Sequence, residues 1–388
     1  KRGVHLATAV ERLARLSGEF QRIALSATVR PLEAVAHFVG AGRPVRIIES
    51  SDDKALDISV HAVQADPEAP PDSPWVPMAA EFARIVRSNR SSLFFTTNRR
   101  DAERIAMLLN EEVGEQVAYA HHGSLSREVR QLVEAKMRAG DLSAIVATSS
   151  LELGIDIGSI DEVIFAKTPF SVTSCLQMTG RAGHQVGARS RARMYPLLGR
   201  DCLDAVVVGR AALERDIEPV KPVRKPLDVL AQVLLSMIAM EPQHLDELFA
   251  FIRGVSSYED LTRGEFDAVV DLLAGSYRST RLRDLEPRIS VDRITGIATA
   301  RPGVQRLLYH SGGTIPDRGY YELRRAETGG RVGELDEEFV WERRVGEVFV
   351  LGNQAWRIAK ITDRDVLVEP AGERRKALPF WRGEPVWR

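Results

Sequence analysis

The sequence predicts a mixed α/β chain: a parallel-sheet domain, then a helical stretch with a β ribbon, then a β-rich end. Three observations predict it. Between residue 78 and about residue 200, short apolar runs alternate with amphipathic stretches. Near Pro219 the pattern becomes helical, and from Tyr320 onward apolar and polar residues alternate between Gly and Asp turns. Strands with little polar interruption, separated by helices, read as a parallel sheet covered on both faces. Chemistry in such sheets gathers at the carboxyl ends of the strands.

The elements follow in order. The opening KRGVHLATAVERLARL reads as a charged amphipathic helix. An apolar strand is expected at 22–25, then SATVRP, a helix around 32–39 and a short strand at 45–48. The proline-bearing QADPEAPPDSPWVP at 64–77 reads as a linker or surface excursion. A helix over 78–88 precedes a strand at 92–96, and a helix follows with Ile105, Leu108 and Leu109. After a strand at 116–120, Leu125, Val129, Leu132, Val133 and Met137 recur at 3.6-residue spacing. Strands at 144–148 and 162–166, a helix near 172–179 and a strand at 192–197 complete the alternation. Helical patterns at 227–240, 244–252 and 265–274, with an alternating stretch at 288–299, suggest a winged-helix unit. YYELRR, EFVWERRVGEVFVLG and QAWRIAKITDRDVLVEP then predict a small barrel or sandwich.

The bulk composition excludes several classes. The 388 residues, 44% hydrophobic and 28% charged, suffice for two to four domains. No apolar run is long enough to span a bilayer, so no membrane partner is expected. No signal peptide is visible, and the chain starts without methionine in mid-pattern, as if cut from a longer polypeptide. Cys175 and Cys202 are too few for a disulfide framework and lack metal-ligand spacing. A cytoplasmic location and no metal site in the chain are therefore expected. With a net charge of -1, any nucleic-acid surface must be local.

Two stretches carry the chemistry. In ATSSLELGIDIG (147–158), a strand runs out into small and hydroxyl residues that can approach a phosphate or ribose closely. There Asp156, after the flexible Gly154, can accept hydrogen bonds from a ribose. In QMTGRAGH (177–184), Gly180 and Gly183 bracket Arg181, leaving its fork free to enter a cleft. A permanently charged guanidinium suits a phosphoryl group gaining charge. Each stretch alone reads more simply as a solvated turn. Together with SAT (26–28), SSLFFTTN (91–98) and HHGS (121–124), in this order on alternating β and α units, they form a set that chance does not supply.

This set resembles the second motor domain of a superfamily-two helicase, preceded by the last part of the first. SAT resembles motif III, FFTTN motif IV, ATSSLELGIDIG motif V and QMTGRAGH motif VI. HHGSLSREVR, GRAGHQVG and GELDEEFVWERRVGEVF are similar to the large helicase-related (Lhr) subgroup, over nearly the whole chain. The resemblance implies four parts: the end of a first RecA-like domain (1–47), a second RecA-like domain (48–215), a winged-helix domain (216–300) and part of a β-rich domain (301–388).

It also implies roles for single residues. Ser26, Ala27 and Thr28 would couple ATP hydrolysis to strand movement. Gly154, Asp156 and Gly180 would face the nucleotide. Gln177 and Arg181 would approach the γ-phosphate, with His184 standing where many relatives carry a second arginine. Thr97, Arg99, Gly123 and Thr148 would lie near the nucleic-acid backbone. ATP and Mg2+ are the implied cofactors, but the GxxxxGK[ST] loop and the acidic pair that would hold most of them are not in these 388 residues. The chain alone is therefore expected to be inactive as an ATPase. The implied partners are single-stranded DNA and DNA or RNA:DNA duplexes, met by a monomeric 3′-to-5′ motor in DNA repair.

Other surface features are weaker. RAGHQVGARSRAR (181–193) holds four arginines and no acid, and reads as a solvated loop or a channel lining. Trp341, Trp356 and Trp381 can stack on bases, although tryptophan in an alternating pattern is more often core. A non-catalytic nucleic-acid-binding or scaffolding module is the alternative reading. A sugar- or nucleotide-transferring enzyme shares the sheet but gives no reason for SAT and QMTGRAGH together.

Overall fold

In the computed structural model, the structure describes residues 1–26, 28–49, 54–63, 75–152, 158–183, 189–197, 199–276, 286–311, 313, 320–362, 364–372 and 379. They form two compact units, each discontinuous in sequence: Lys1–Ser50 with Pro219–Asp317, and Ser51–Glu218 with Arg318–Arg388.

The larger unit contains the parallel sheet. Its strands are β1 (Leu56–Val60), β2 (Ser92–Thr96), β3 (Ala118–His121), β4 (Ala144–Ala147), β5 (Glu162–Ala166) and β6 (Ser190–Tyr195), ordered β1-β6-β5-β2-β4-β3 with every pairing parallel. Side chains of a strand alternate between faces, which sorts the core in two. Leu93, Phe95, Ile145, Ala147, Val163 and Phe165 meet Val133, Met137, Cys175 and Leu176 on one side. Phe94, Val146 and Ile164 meet Phe82, Ile105 and Leu109 on the other. The expected strands fall within three residues of β2 to β6. The edge strand β1 and the helices Gly199–Glu214 and Val304–His310 escaped expectation, and Glu337–Trp341 is a helix where EFVW was expected as strand.

The smaller unit is a winged-helix fold. Helices Leu227–Ile238, Leu245–Arg253 and Arg263–Ala274 pack with an antiparallel sheet of β7 (Gln243–His244), β8 (Ile289–Asp292) and β9 (Ile297–Ala300). Helix Arg263–Ala274 starts with a capping box between Thr262 and Glu265, which satisfies two of its free amide ends. Helices Arg2–Ser17 and Leu32–Gly40 belong to the same unit; Arg12 Nη1 donates to Ser236 Oγ at 2.7 Å and Ser256 Oγ to the Phe38 carbonyl at 3.0 Å.

The strands expected at 22–25 and 45–48 do not form. Ile23, Leu25 and Ile48 are 75%, 93% and 81% exposed. A strand exists only by pairing, and no described residue offers either segment a ladder partner.

The β-rich end returns to the larger unit. Strands β10 (Tyr320–Arg325), β11 (Arg331–Asp336), β12 (Val348–Leu351), β13 (Gln354–Ile361) and β14 (Asp365–Pro370) form one sheet ordered β11-β10-β14-β13-β12, curled into a half-barrel. Leu323, Leu335, Phe349, Trp356 and Val366 fill its concave core. Trp356 is thus a core residue, its Nε1 donating to the Leu351 carbonyl at 3.0 Å, whereas Trp341 is 69% exposed. Trp381 lies outside the described residues.

Phe94 tests the sheet's packing. It is fully buried, with the Phe82 ring edge-on at 5.2 Å. Phe94→Ala should cost about 3–5 kcal/mol in urea unfolding of the chain; a loss below about 1 kcal/mol would mean that this face is not close-packed.

Candidate nucleotide and nucleic-acid site

The loops leaving β2, β3 and β4 emerge at one edge of the parallel sheet, and they carry four of the expected residues, Thr97, Arg99, Gly123 and Thr148. Thr97 follows β2 directly, its hydroxyl buried without a hydrogen-bond partner among the described residues. Asn98 caps the next helix, Arg99–Val113, by accepting from Asp101 N at 2.7 Å. Arg99 then reaches sideways, and its Nη1 donates to Ser124 Oγ at 2.6 Å in the loop after β3. Gly123 lies in that loop, exposed, with nothing within 4 Å of where a Cβ would stand. Thr148 directly follows β4, its amide donating to the His121 carbonyl at 3.3 Å. Arg99, Gly123 and Thr148 therefore lie on one connected set of loops.

His121 joins these loops and was missed as a site residue. Its ring is buried, with Nδ1 2.9 Å from Ser150 Oγ and Nε2 3.1 Å from Glu134 Oε1. Nε2 donates to the Glu134 carboxylate, and the Ser150 hydroxyl, which faces Nδ1, also donates to the His121 carbonyl at 2.9 Å. Burial pushes the His121 pKa below its ordinary value, against the pull of Glu134, while Arg130 and His122 push the same way as burial. The only sequence signal was the doubled histidine of HHGS ahead of an apolar helix. Lys167, just past β5, was missed too: it adopts φ +94° and its Nζ lies 2.7 Å from Asp101 Oδ2. A non-glycine residue holds such a backbone only where its surroundings impose it.

Three of the residues expected to face the nucleotide, Gln177, Gly180 and Arg181, sit where the helix Val172–Thr179 ends. Gln177 is half-buried in its last turn. Gly180 closes the helix, and a Cβ there would lie 3.2 Å from the Leu176 carbonyl oxygen. Arg181 points back toward the segment after β4: its Nη2 donates to the Glu152 carbonyl at 3.1 Å, and its Nε is buried without a partner among the described residues. Glu152 is held in turn by Ser174 Oγ at 2.8 Å. The glycine turn is pinned by an Ile160–Ala182 bridge and by Lys54 Nζ and Ser190 Oγ, which donate to the Ala182 carbonyl at 2.7 and 2.9 Å. Gly154, Asp156, His184 and Ala27 lie outside the described residues. Ser26 and Thr28 belong to the smaller unit. Among the described residues, no group of three or more His, Cys, Asp or Glu is arranged to hold a metal ion, and no helix is long and apolar enough to cross a membrane.

Comparison with known proteins shows the family. Residues 79–185 match the helicase conserved C-terminal domain, and residues 210–378 match the winged helix domain of the large helicase-related protein. The chain belongs to the Lhr helicase family. It is 42% identical to the Lhr helicase/probable uracil glycosylase of Mycolicibacterium smegmatis, over 100% of this chain and 28% of that protein. It is 36% identical to the ATP-dependent helicase Lhr-Core of Methanothermobacter thermautotrophicus, over 100% of this chain and 46% of that one. The chain thus spans less than half the length of either relative. A solved structure of Mycobacterium smegmatis helicase Lhr bound to ssDNA and AMP-PNP superposes with a TM-score of 0.73 at 40% identity, over 92% of this chain and 47% of that one. The helicase MrfA shares the fold at 19% identity, with a TM-score of 0.67 over 96% of this chain and 50% of that one.

The depressed His121 pKa has a sign that can be measured. The unfolded chain takes up the proton near pH 6.5 while the folded ring resists it, so stability falls as pH drops through that range. Between about pH 7.5 and about pH 5.5, His121→Gln should lose less thermal stability than the parent chain. Equal losses in calorimetry would remove His121 as their source.

Proposed function

We propose that this Lhr-family chain is part of an ATP-dependent 3′-to-5′ DNA helicase or translocase. Its substrates in this reading are single-stranded DNA, DNA duplexes and RNA:DNA hybrids, and its setting is DNA repair in the cytoplasm, as a monomeric motor. One observation carries the reading most directly. The Arg181 fork contacts Glu152, on the same β4-to-β5 segment that begins with Thr148, so the nucleotide-side and strand-side loops share one connection. Relatives named as ATP-dependent helicases support it, as does the Lhr structure with ssDNA and AMP-PNP.

Arg181 would stabilise charge growing on the γ-phosphate, with Gln177 beside it and His184 as a further contact. Gly154, Asp156 and Gly180 would hold the nucleotide. Thr97, Arg99, Gly123 and Thr148 would track the strand backbone, where sequence-independent contacts suffice. Ser26, Ala27 and Thr28 would couple the two actions. The described residues offer no donor set for Mg2+, so the ion and most of the ATP pocket are assigned to a first motor lobe. The exposed apolar segments at 22–25 and 45–48 fit that assignment, because they would pair only within such a lobe's sheet.

The test compares these 388 residues with a protein that includes the first lobe. The shorter chain should show no DNA-stimulated ATP turnover. In the longer one, Arg181→Ala should lower turnover about a thousandfold and leave single-stranded DNA affinity within about threefold. Turnover by the shorter chain that Arg181→Ala abolishes, or indifference of the longer protein to this change, would overturn the proposal. DNA binding with no turnover in the longer protein would favour the non-catalytic module.

A further inference from the structure

The half-barrel grips one loop of the parallel-sheet domain from two sides. Glu103, on the helix Arg99–Val113, is 0% exposed. Its Oε1 lies 3.0 Å from His122 Nε2 and accepts the Gly352 amide at 2.7 Å, and Oε2 accepts the Asn353 amide at 3.4 Å. Gly352 and Asn353 are the two turn residues between β12 and β13, both left-handed at φ +62° and +61°. Such a two-residue hairpin turn strongly favours residues that tolerate positive φ, chiefly Gly and Asn. Asn353 Nδ2 also donates to the Ala118 carbonyl of β3. The tip of one hairpin is thereby fastened to a buried carboxylate of another fold element.

The second grip is a short β-bridge. Leu125 pairs with Gly333 of β11; Ser126 N donates to the Val332 carbonyl at 2.9 Å and Glu334 N to the Ser124 carbonyl at 2.7 Å. A Cβ on Gly333 would lie 2.4 Å from the Ser124 oxygen, so the bridge requires glycine there. The Leu125 side chain is buried in the half-barrel's own core. Between the two grips lies the loop carrying Gly123 and Ser124, and Arg99 is bound to its Ser124.

We propose that Glu103 is a positioning residue: together with the Leu125–Gly333 bridge, it makes the C-terminal half-barrel hold the 121–126 loop in the shape that meets the nucleic-acid backbone. The proposal rests on the helicase reading for what the loop meets, and on the contacts above for how it is held. Hydrogen bonds to a buried carboxylate leave the loop little freedom, because each released donor would stay buried and unpaired. The ordering cost is thus met in folding and not when a strand arrives.

The experiment uses the protein that includes the first motor lobe. Glu103→Ala should raise the single-stranded DNA concentration for half-maximal ATP turnover roughly tenfold and keep saturated turnover within about twofold. Glu103→Gln, which retains an oxygen acceptor for Gly352, should recover most of the affinity. In the 388-residue chain, amide exchange at Ser126 and Glu334 should quicken in Glu103→Ala while β2, β4 and β5 stay protected. Unchanged exchange, a fall in saturated turnover without an affinity change, or Gln as damaging as Ala would overturn the proposal. Should Glu103→Ala not fold, Asn353→Ala loosens the same grip and is read by the same measurements. A wild-type protein without DNA-stimulated turnover would defeat the helicase reading, and the exchange data would still decide whether Glu103 holds the loop.

Discussion

A parallel strand cannot return to its neighbour through a tight turn; it must cross a face of the sheet and re-enter at the same end. In the six-stranded sheet this constraint puts the exits of β2, β3, β4 and β5 on one edge. Thr97, Gly123, Thr148 and Lys167 stand at or just past those exits, far apart in sequence and together in space. The strands themselves are closed to chemistry, because Phe94, Val146 and Ile164 are fully buried on one face and Leu93, Ile145 and Val163 on the other. Any reactivity of this unit is therefore confined to its loops, and its precision depends on how the loops are held.

They are held by buried polar groups. His121 ties the exit of β3 to Ser150 after β4, and Glu103 ties His122 to the β12–β13 turn. A buried polar group left without its hydrogen-bond partner costs about 1–3 kcal/mol, so a network with several partners around one carboxyl group has few alternative arrangements. That is a different kind of rigidity from the apolar core, which tolerates substitutions of similar volume. The half-barrel takes part in it directly. Although it follows the winged-helix segment in sequence, it packs with the parallel-sheet domain in one unit.

What was legible in the sequence follows from these physics. The inner strands β2, β4 and β5 announced themselves as apolar runs, since a strand buried on both faces has no polar side. The motif stretches were legible for a related reason: glycines and hydroxyls at strand exits stand out against the apolar background. The edge strand β1 was not, because Asp57 and Ser59 face away from the core and break the run. Helix Gly199–Glu214 carries three consecutive valines, which read neither as helix nor as strand. The segments 22–25 and 45–48 have the composition of strands, but pairing is a property of neighbours, and no local pattern reports it. The grip of Glu103 on Gly352 joins residues 249 positions apart, and Glu103 reads locally as one more acid on an amphipathic helix.

Arg181, in the role proposed for it, is an example of how such a frame would serve chemistry. Its fork rests on the Glu152 carbonyl through one contact of 3.1 Å. A hydrogen bond from a charged donor to a neutral acceptor is worth about 1.5–3 kcal/mol. An arginine finger on a transferring phosphoryl group contributes a rate factor of about 10³–10⁵, or roughly 4–7 kcal/mol of barrier. In the proposed finger role, a phosphoryl group at the transition state would outcompete the carbonyl, and the resting contact would not trap the side chain. Nor is it idle. The Ala182 carbonyl, pinned by Lys54 and Ser190, fixes the backbone from which Arg181 projects. In that reading, a fixed root and a weakly held fork would let the charge turn toward a phosphoryl group without reordering the backbone, which is the condition for electrostatic stabilisation at little reorganisation cost.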